Sequence, residues 1–472
     1  MASTENFLRV LDKAHTGPIC TAKDWNLKVL PEKVSQKLRA YRLEGTCDTE
    51  NPINTDDELA DTFFKAGFEL ALESGLLCTD TERIIEITEA EIKKALEEAP
   101  KEVVFGKGPD ATLMKTRIPE DKHPALFGAP MGNLISEDVY IPLHQGIAQV
   151  HEVDIFGGST IPTIFGRRVL AGTPYETLVG RYQAQLTREA LWRAGRPGMA
   201  SRAVATSPTA YGQLGGFGTA GGFDPEVDIA SILTPSELMT NYEILHKVAN
   251  AVICGARTRI QSASIIGGYL GSPEAAPLAQ IACSILILTL FRADIIGGTL
   301  IDARYGGDCG RHGMWAESIH GQALSRNTDL LARHTVNQTA GPCTEMILYE
   351  SAVGLLNLST SGLSFYQGPR SGGGKHADHL TPLECKFCGE ILKKSAGMTR
   401  KQANDIAKVL IPKYEGDLRE PPKGKRFQDC YDIDKLEPSK EWLGIYHKVT
   451  QEVADLGVPL DYPAKLTSKN DR

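Results

Sequence analysis

From about residue 103 onward the chain alternates between two textures. Short apolar runs of strand type stand at 103–106, 125–128, 161–165, 198–206, 261–267 and 293–301. Longer helical patterns stand at 175–194, 236–253, 275–291 and 312–331. A strand that is apolar throughout is buried on both faces, and strand–helix–strand succession imposes a parallel sheet covered by helices. So many units without a clear break predict an α/β fold, a closed (β/α)8 TIM barrel. An open doubly wound sheet is the alternative that periodicity leaves standing.

The two ends read as helices. In the N-terminal part Leu59, Phe63, Phe64, Phe68, Ala71 and Leu72 recur at helical spacing until Gly75 ends the pattern. The stretch "TEAEIKKALEEAP" carries a capping box in Thr88 and Glu91, an apolar face of Ile92, Ala95 and Leu96, and a stop at Pro100. The expected organisation is therefore an N-terminal helical extension over 1–102, a barrel core over 103–380, and the last barrel helix with a C-terminal helical region over 381–472. The apolar run 281–291, "IACSILILTLF", is shorter than the roughly 20 residues a bilayer requires and is expected to be a buried element.

A formal net charge of −8 offers no broad phosphate-binding surface, so no nucleic-acid partner is expected. The first residues show no basic head followed by an apolar run, and ten cysteines are scattered. Both favour a cytoplasmic protein with reduced thiols and no membrane partner.

Several motifs have ordinary explanations. Residues 216–221 match GxGxxG, but Gly222-Phe223-Asp224-Pro225 opens no helix where a pyrophosphate would need one, so a loop is expected. "SGGGKH" at 371–376 lacks the P-loop spacing. His376, His379, Cys385 and Cys388 have zinc-like ligand types. Thr381 and Glu384 cap a helix there, however, and thiols on a helix face are usually core filler. No metal is expected.

Arg202 is the anomaly. It interrupts the small, apolar stretch "AGRPGMASRAVATS". A buried guanidinium needs a partner, either a structural ion pair with Asp224 or Asp228 or a ligand. The glycine-rich loop that follows, "YGQLGGFGTAGGF", carries Tyr211, Phe217 and Phe223. These rings either cage a methylated cation through cation–π attraction or simply close the loop over the barrel mouth.

Blocks in one order along the whole chain carry a resemblance. They include "FFKAGFELALESGLLCTDTERI" (63–84), "ISEDVYIPLH" (135–144), "AGRPGM" (194–199), "AGPCTEM" (340–346) and "GKRFQDCYD" (424–432). Together they resemble the monomethylamine methyltransferases of methylotrophic archaea. The resemblance implies a (β/α)8 barrel, a homohexamer, and transfer of a methyl group from a small amine to the cobalt of a separate corrinoid protein. No cofactor would be tightly bound to this chain.

In that family a pyrrolysine follows the "AGRPGM" block, and the matching position is Arg202. Its surroundings in the family are acidic residues and a glutamine; here Ala205, Gln261 and Thr335 stand at three of those places. Arginine has no electrophilic imine and only donates hydrogen bonds. The resemblance therefore implies a changed donor with a better leaving group, a quaternary amine or betaine-like compound. Arg202 and Gln261 are the expected catalytic residues. Thr335, Asn337, Tyr211, Phe217 and Phe223 are the expected substrate-binding residues. A non-catalytic homologue that binds a corrinoid protein or a small ligand is the alternative.

Overall fold

The computed structural model describes residues 3–202 and 209–460. The barrel strands are β1 (Leu126–Ala129), β2 (Ile155–Phe156), β3 (201–202), β4 (Ile229–Leu233), β5 (Arg257–Ile266), β6 (Ile295–Asp302), β7 (Leu331–Thr335) and β8 (Phe365–Gln367). Seven of them form one parallel sheet in the order β2-β1-β8-β7-β6-β5-β4. The short β3 closes the ring through parallel bridges Phe156↔Ser201 and Arg202↔Ile229. There the Arg202 N–H donates to the Phe156 carbonyl at 2.9 Å, and the Ile229 N–H donates to the Ser201 carbonyl at 2.9 Å. Closure leaves no strand edge unpaired. The fold is a (β/α)8 barrel, as expected.

A helix follows each strand: α1 (Glu137–Ala148), α2 (Pro174–Arg193), α3 (Tyr211–Gly216), α4 (Tyr242–Cys254), α5 (Ala275–Phe291), α6 (Arg311–Asn327), α7 (Glu345–Thr360) and α8 (Pro382–Lys394). Every residue of α5 is buried. The barrel covers one side, and the N-terminal helix Asp57–Ser74 packs across the other. Gly67 permits that approach: a Cβ there would lie 2.5 Å from Ile281 Cγ2. The apolar run is thus a helix sandwiched between two layers. Among the described residues no helix is long and apolar enough to cross a membrane.

The N-terminal end of the barrel is plugged. The antiparallel hairpin of Glu102–Phe105 with Thr112–Lys115 turns Val103, Phe105 and Met114 inward. They pack against Leu126, Ile155, Ala200, Ile229, Ile295, Leu331 and Phe365, one from each of several strands. This hairpin contains 103–106, which sequence periodicity assigns to the sheet itself.

Other departures have local causes. The run 161–165 is not a barrel strand: Thr163–Ile164 pairs with Arg167–Arg168 in a surface hairpin, and the barrel uses Ile155–Phe156. Of the run 198–206, the bridges take only Ser201 and Arg202; residues 203–206, Ala205 among them, lie outside the described residues. The helix expected to reach residue 331 ends at Asn327, because Leu331 begins β7. The two capping boxes read from sequence, Thr88 with Glu91 and Thr381 with Glu384, are both formed.

Candidate active site in the barrel

Strand register sets the height of each inward side chain. Arg202 faces Ile229 across β3 and β4, and Ser231 faces Arg259 across β4 and β5. Arg259 faces Ile295, Gly297 faces Arg333, Arg333 faces Phe365, and Gln367 faces Gly128. Each second strand therefore advances by two residues, and the stagger accumulates to about eight around the ring, the shear of this fold. Layers in such a barrel take one side chain from alternate strands. Gly128, Arg202, Arg259 and Arg333 consequently share one layer.

Below this layer lie Ile155, Ile229, Ile295 and Phe365, an apolar floor continuous with the plug. Above it, on β5 and β7, come Gln261 and Thr335. Gly297 lets β6 pass close to β7: its φ is +140°, and a Cβ would sit 2.1 Å from the Arg333 carbonyl oxygen.

The three guanidinium groups are 5%, 1% and 0% exposed at Arg202, Arg259 and Arg333. Arg202 Nε donates to the Gly157 carbonyl at 2.9 Å, and its Nη1 donates to Ser231 Oγ at 3.4 Å. The same Ser231 hydroxyl accepts from Arg259 Nη1, so one oxygen joins two cations. Arg259 Nη2 donates to Gln261 Oε1. Arg333 Nη2 donates to Thr335 Oγ1 and, at 3.0 Å, to the His334 carbonyl. Among the described residues Arg202 Nη2, Arg259 Nε, and Arg333 Nε and Nη1 find no partner.

Among the described residues no Asp or Glu pairs with these arginines. Asp228 gives its carboxylate to Arg188 and to the N–H groups of Ser201 and Asp224. Asp224 lies nearest a cation at Lys107, 4.0 Å away. Neither supplies the ion pair weighed for Arg202 from sequence. Residues 203–208 contain no acid.

The consequence is electrostatic strain. Burial pushes Arg202 down to about 10. Burial and the charge of Arg202 push Arg333 down to about 9. Burial, with Arg333 and Arg202, pushes Arg259 well below its ordinary range. The fields of Glu317 and Asp308 reach Arg333, but burial drives both carboxyls upward, Glu317 to about 8.

The residues expected from sequence separate into three groups. Arg202, Gln261 and Thr335 come together inside the barrel, although Gln261 and Thr335 accept from neighbouring arginines. Thr335 Oγ1 also donates to Met131 Sδ at 3.3 Å. Asn337 lies on the β7–α7 loop, held by Asp308: its N–H donates to Asp308 Oδ1 at 2.8 Å. Its Nδ2 donates to Thr299 Oγ1 at 2.6 Å, and its Oδ1 accepts from Arg370 Nη1 at 3.3 Å.

The aromatic trio does not form a cage. Tyr211 is 47% exposed on α3, while Phe217 and Phe223 pack with Ala184, Ala230, Ala251 and Ala256. The two phenyl rings do line a cavity of about 590 Å³ beside α2 and α3, with Leu134, Ile161, Val179 and Gln183.

Sequence reasoning missed Arg259 and Arg333. The signal was available: on β5 and β7 they lie two residues before Gln261 and Thr335 and therefore face the same way. Cys385 and Cys388 are buried on α8, and among the described residues no group of three His, Cys, Asp or Glu side chains is placed to hold a metal.

Glu317 on α6 yields a stability prediction. Its folded pKa of about 8 exceeds the ordinary carboxyl value, so the native state holds the proton. Stability therefore falls as pH rises from the unfolded value of about 4.3 toward 8. Glu317→Gln removes that slope. Its stability relative to wild type should rise by on the order of 2 kcal/mol between about pH 5 and pH 8, read from urea midpoints. A constant difference across that window means the carboxyl is ionised when folded.

The family described as monomethylamine methyltransferase MtmB matches residues 6–458. Monomethylamine methyltransferase MtmB of Methanosarcina mazei is 31% identical over 448 residues, 95% of this chain and 97% of that protein. MtmB3 of Methanosarcina barkeri is 32% identical over the same shares. The crystal structure of the Methanosarcina barkeri enzyme superposes with a TM-score of 0.90 at 31% identity, covering 95% of this chain and 97% of that one. A structure of the hydroxylamine complex of MtmB gives 0.91 at 31% identity. The chain belongs to the monomethylamine methyltransferase family.

Proposed function

We propose that this protein moves a methyl group from a small donor bearing an anionic oxygen group to the cobalt of a separate corrinoid protein, as a homohexamer. The observation that carries the reading is the Arg202 guanidinium, buried with Nη2 unpartnered among the described residues. It sits in β3 near the C-terminal ends of the barrel strands, where enzymes of this fold place their sites. The solved relative binds hydroxylamine, a small uncharged base. A guanidinium serves a different ligand, because it offers two parallel N–H bonds to a carboxylate or similar oxyanion.

Reduced cobalt on the partner protein supplies the nucleophile. This chain's own residues bind and orient the donor. Arg202 anchors the anionic end, and Ser231 and the Gly157 carbonyl fix the plane of its guanidinium. Gln261 and Thr335 hold the neighbouring arginines in position. A betaine-like donor is the minimal case of this class: it offers one carboxylate to Arg202, and its amine leaves neutral.

The test is formation of methyl-cobalt, followed by absorbance, with corrinoid protein and a panel of methylated amines, betaines and acids. Arg202→Met should lower methyl transfer about a hundredfold or more while circular dichroism and melting show an intact fold. Unchanged transfer in that variant refutes the anchoring role. A wild-type protein that binds corrinoid protein but transfers nothing across the panel is the non-catalytic homologue.

A further inference from the structure

The arginine ring asks for more charge than a betaine brings. Three guanidinium groups from β3, β5 and β7 share one layer, two of them bound to the same Ser231 hydroxyl. Four of their nitrogen atoms are buried with no acceptor among the described residues. The fourth position of the layer is Gly128, which adds no side chain; the Phe365 ring lies where its Cβ would be, at 2.6 Å. Glycine also occupies positions 157 and 297 next to the ring, where a Cβ would strike the backbone of Pro130 and of Arg333 and where the chains therefore approach closely.

A monoanion satisfies one such cation. A zwitterion such as a betaine adds its own positive centre a few ångströms from the others, where attraction and repulsion nearly cancel. N–H groups offered from three strands suit the three terminal oxygens of a tetrahedral oxyanion. A planar carboxylate uses one guanidinium fork.

We infer that the ring of Arg202, Arg259 and Arg333 holds a group with two negative charges on oxygen, of the phosphate or phosphonate class, carried by the methyl donor. The inference deepens the proposed function by naming the donor's charge, and rests on its placing the donor in the barrel.

The experiment is calorimetric titration of the full chain with inorganic phosphate, methylphosphonate, glycine betaine and chloride, without corrinoid protein. Methylphosphonate should bind at least tenfold more tightly than betaine, and Arg259→Met and Arg333→Met should each weaken it at least tenfold while their unliganded folds stay intact. Arg259→Lys, which keeps the charge and loses the planar fork, should recover only part of the affinity. Equal binding of betaine and methylphosphonate overturns the inference, as does no binding above chloride. Phosphate binding without methylphosphonate binding overturns the donor assignment and leaves a site for free phosphate. Because no methyl transfer is measured, this inference and the proposed function fail separately.

Discussion

Arg259→Met should unfold at a higher temperature than the wild-type protein. Arg259 is 1% exposed, lacks a partner at Nε, and feels two other buried cations. A buried charge without a counter-ion is a standing cost, and replacement of such groups by apolar residues of similar volume is often neutral or stabilising by about 1–4 kcal/mol. Methionine matches the length of the arginine stem and adapts to irregular space. Against the gain stands the donor lost to Gln261 Oε1, about 1 kcal/mol. Ser231 keeps its bond from Arg202. The net expectation is a gain of several degrees in Tm without ligand.

A saturating dianion should reverse the order. It stabilises only the form that binds it, by about 2.7 kcal/mol at a hundred times Kd. A variant that melts well below wild type without ligand shows the guanidinium to be compensated in the free protein. The ring then carries no electrostatic demand. The effect, if found, is the familiar exchange in which a site is kept at the expense of stability.

Gly297→Ala should be strongly damaging to the barrel. Two independent obstacles meet there. The φ of +140° lies in a region that only glycine enters readily, at about 1–3 kcal/mol for another residue. The new Cβ would also lie 2.1 Å from the Arg333 carbonyl oxygen, a backbone atom in the sheet that cannot swing aside. A loss of at least about 3 kcal/mol in urea unfolding is expected, with insoluble expression as the extreme form. Gly444 is the matched control. It lies in the C-terminal helix Lys440–Asp455 with nothing within 4 Å of a built Cβ, so Gly444→Ala should gain about 0.5–1 kcal/mol. Similar behaviour of the two variants would contradict the strand geometry around Gly297.

The strand–helix alternation was legible in the long elements. The helices at 175–194 and 275–291, and the strands near 125–128 and 293–301, were found within a few residues. The short strands were not. Ile155–Phe156 is too brief to show a period, and β7, "LARHT", alternates an inward arginine with an outward histidine bonded to α6. Neither reads as an apolar run, because a functional barrel fills its upper interior with polar groups. The hairpin 102–115 misled for the opposite reason: its inward residues are as apolar as a central strand, yet they plug the barrel end instead of joining the wall.

By itself the sequence determined the class of fold, the capped helices, and the position of one charged residue, Arg202, within an otherwise small and apolar stretch. The tertiary structure alone decided that Arg202 has two companions. Residues 202, 259 and 333 are far apart in the chain, and nothing in local periodicity relates their heights. Only the closed ring with its two-residue advance per pair of strands brings them into one layer, where burial and mutual repulsion turn three separate arginines into a single demand for an anion.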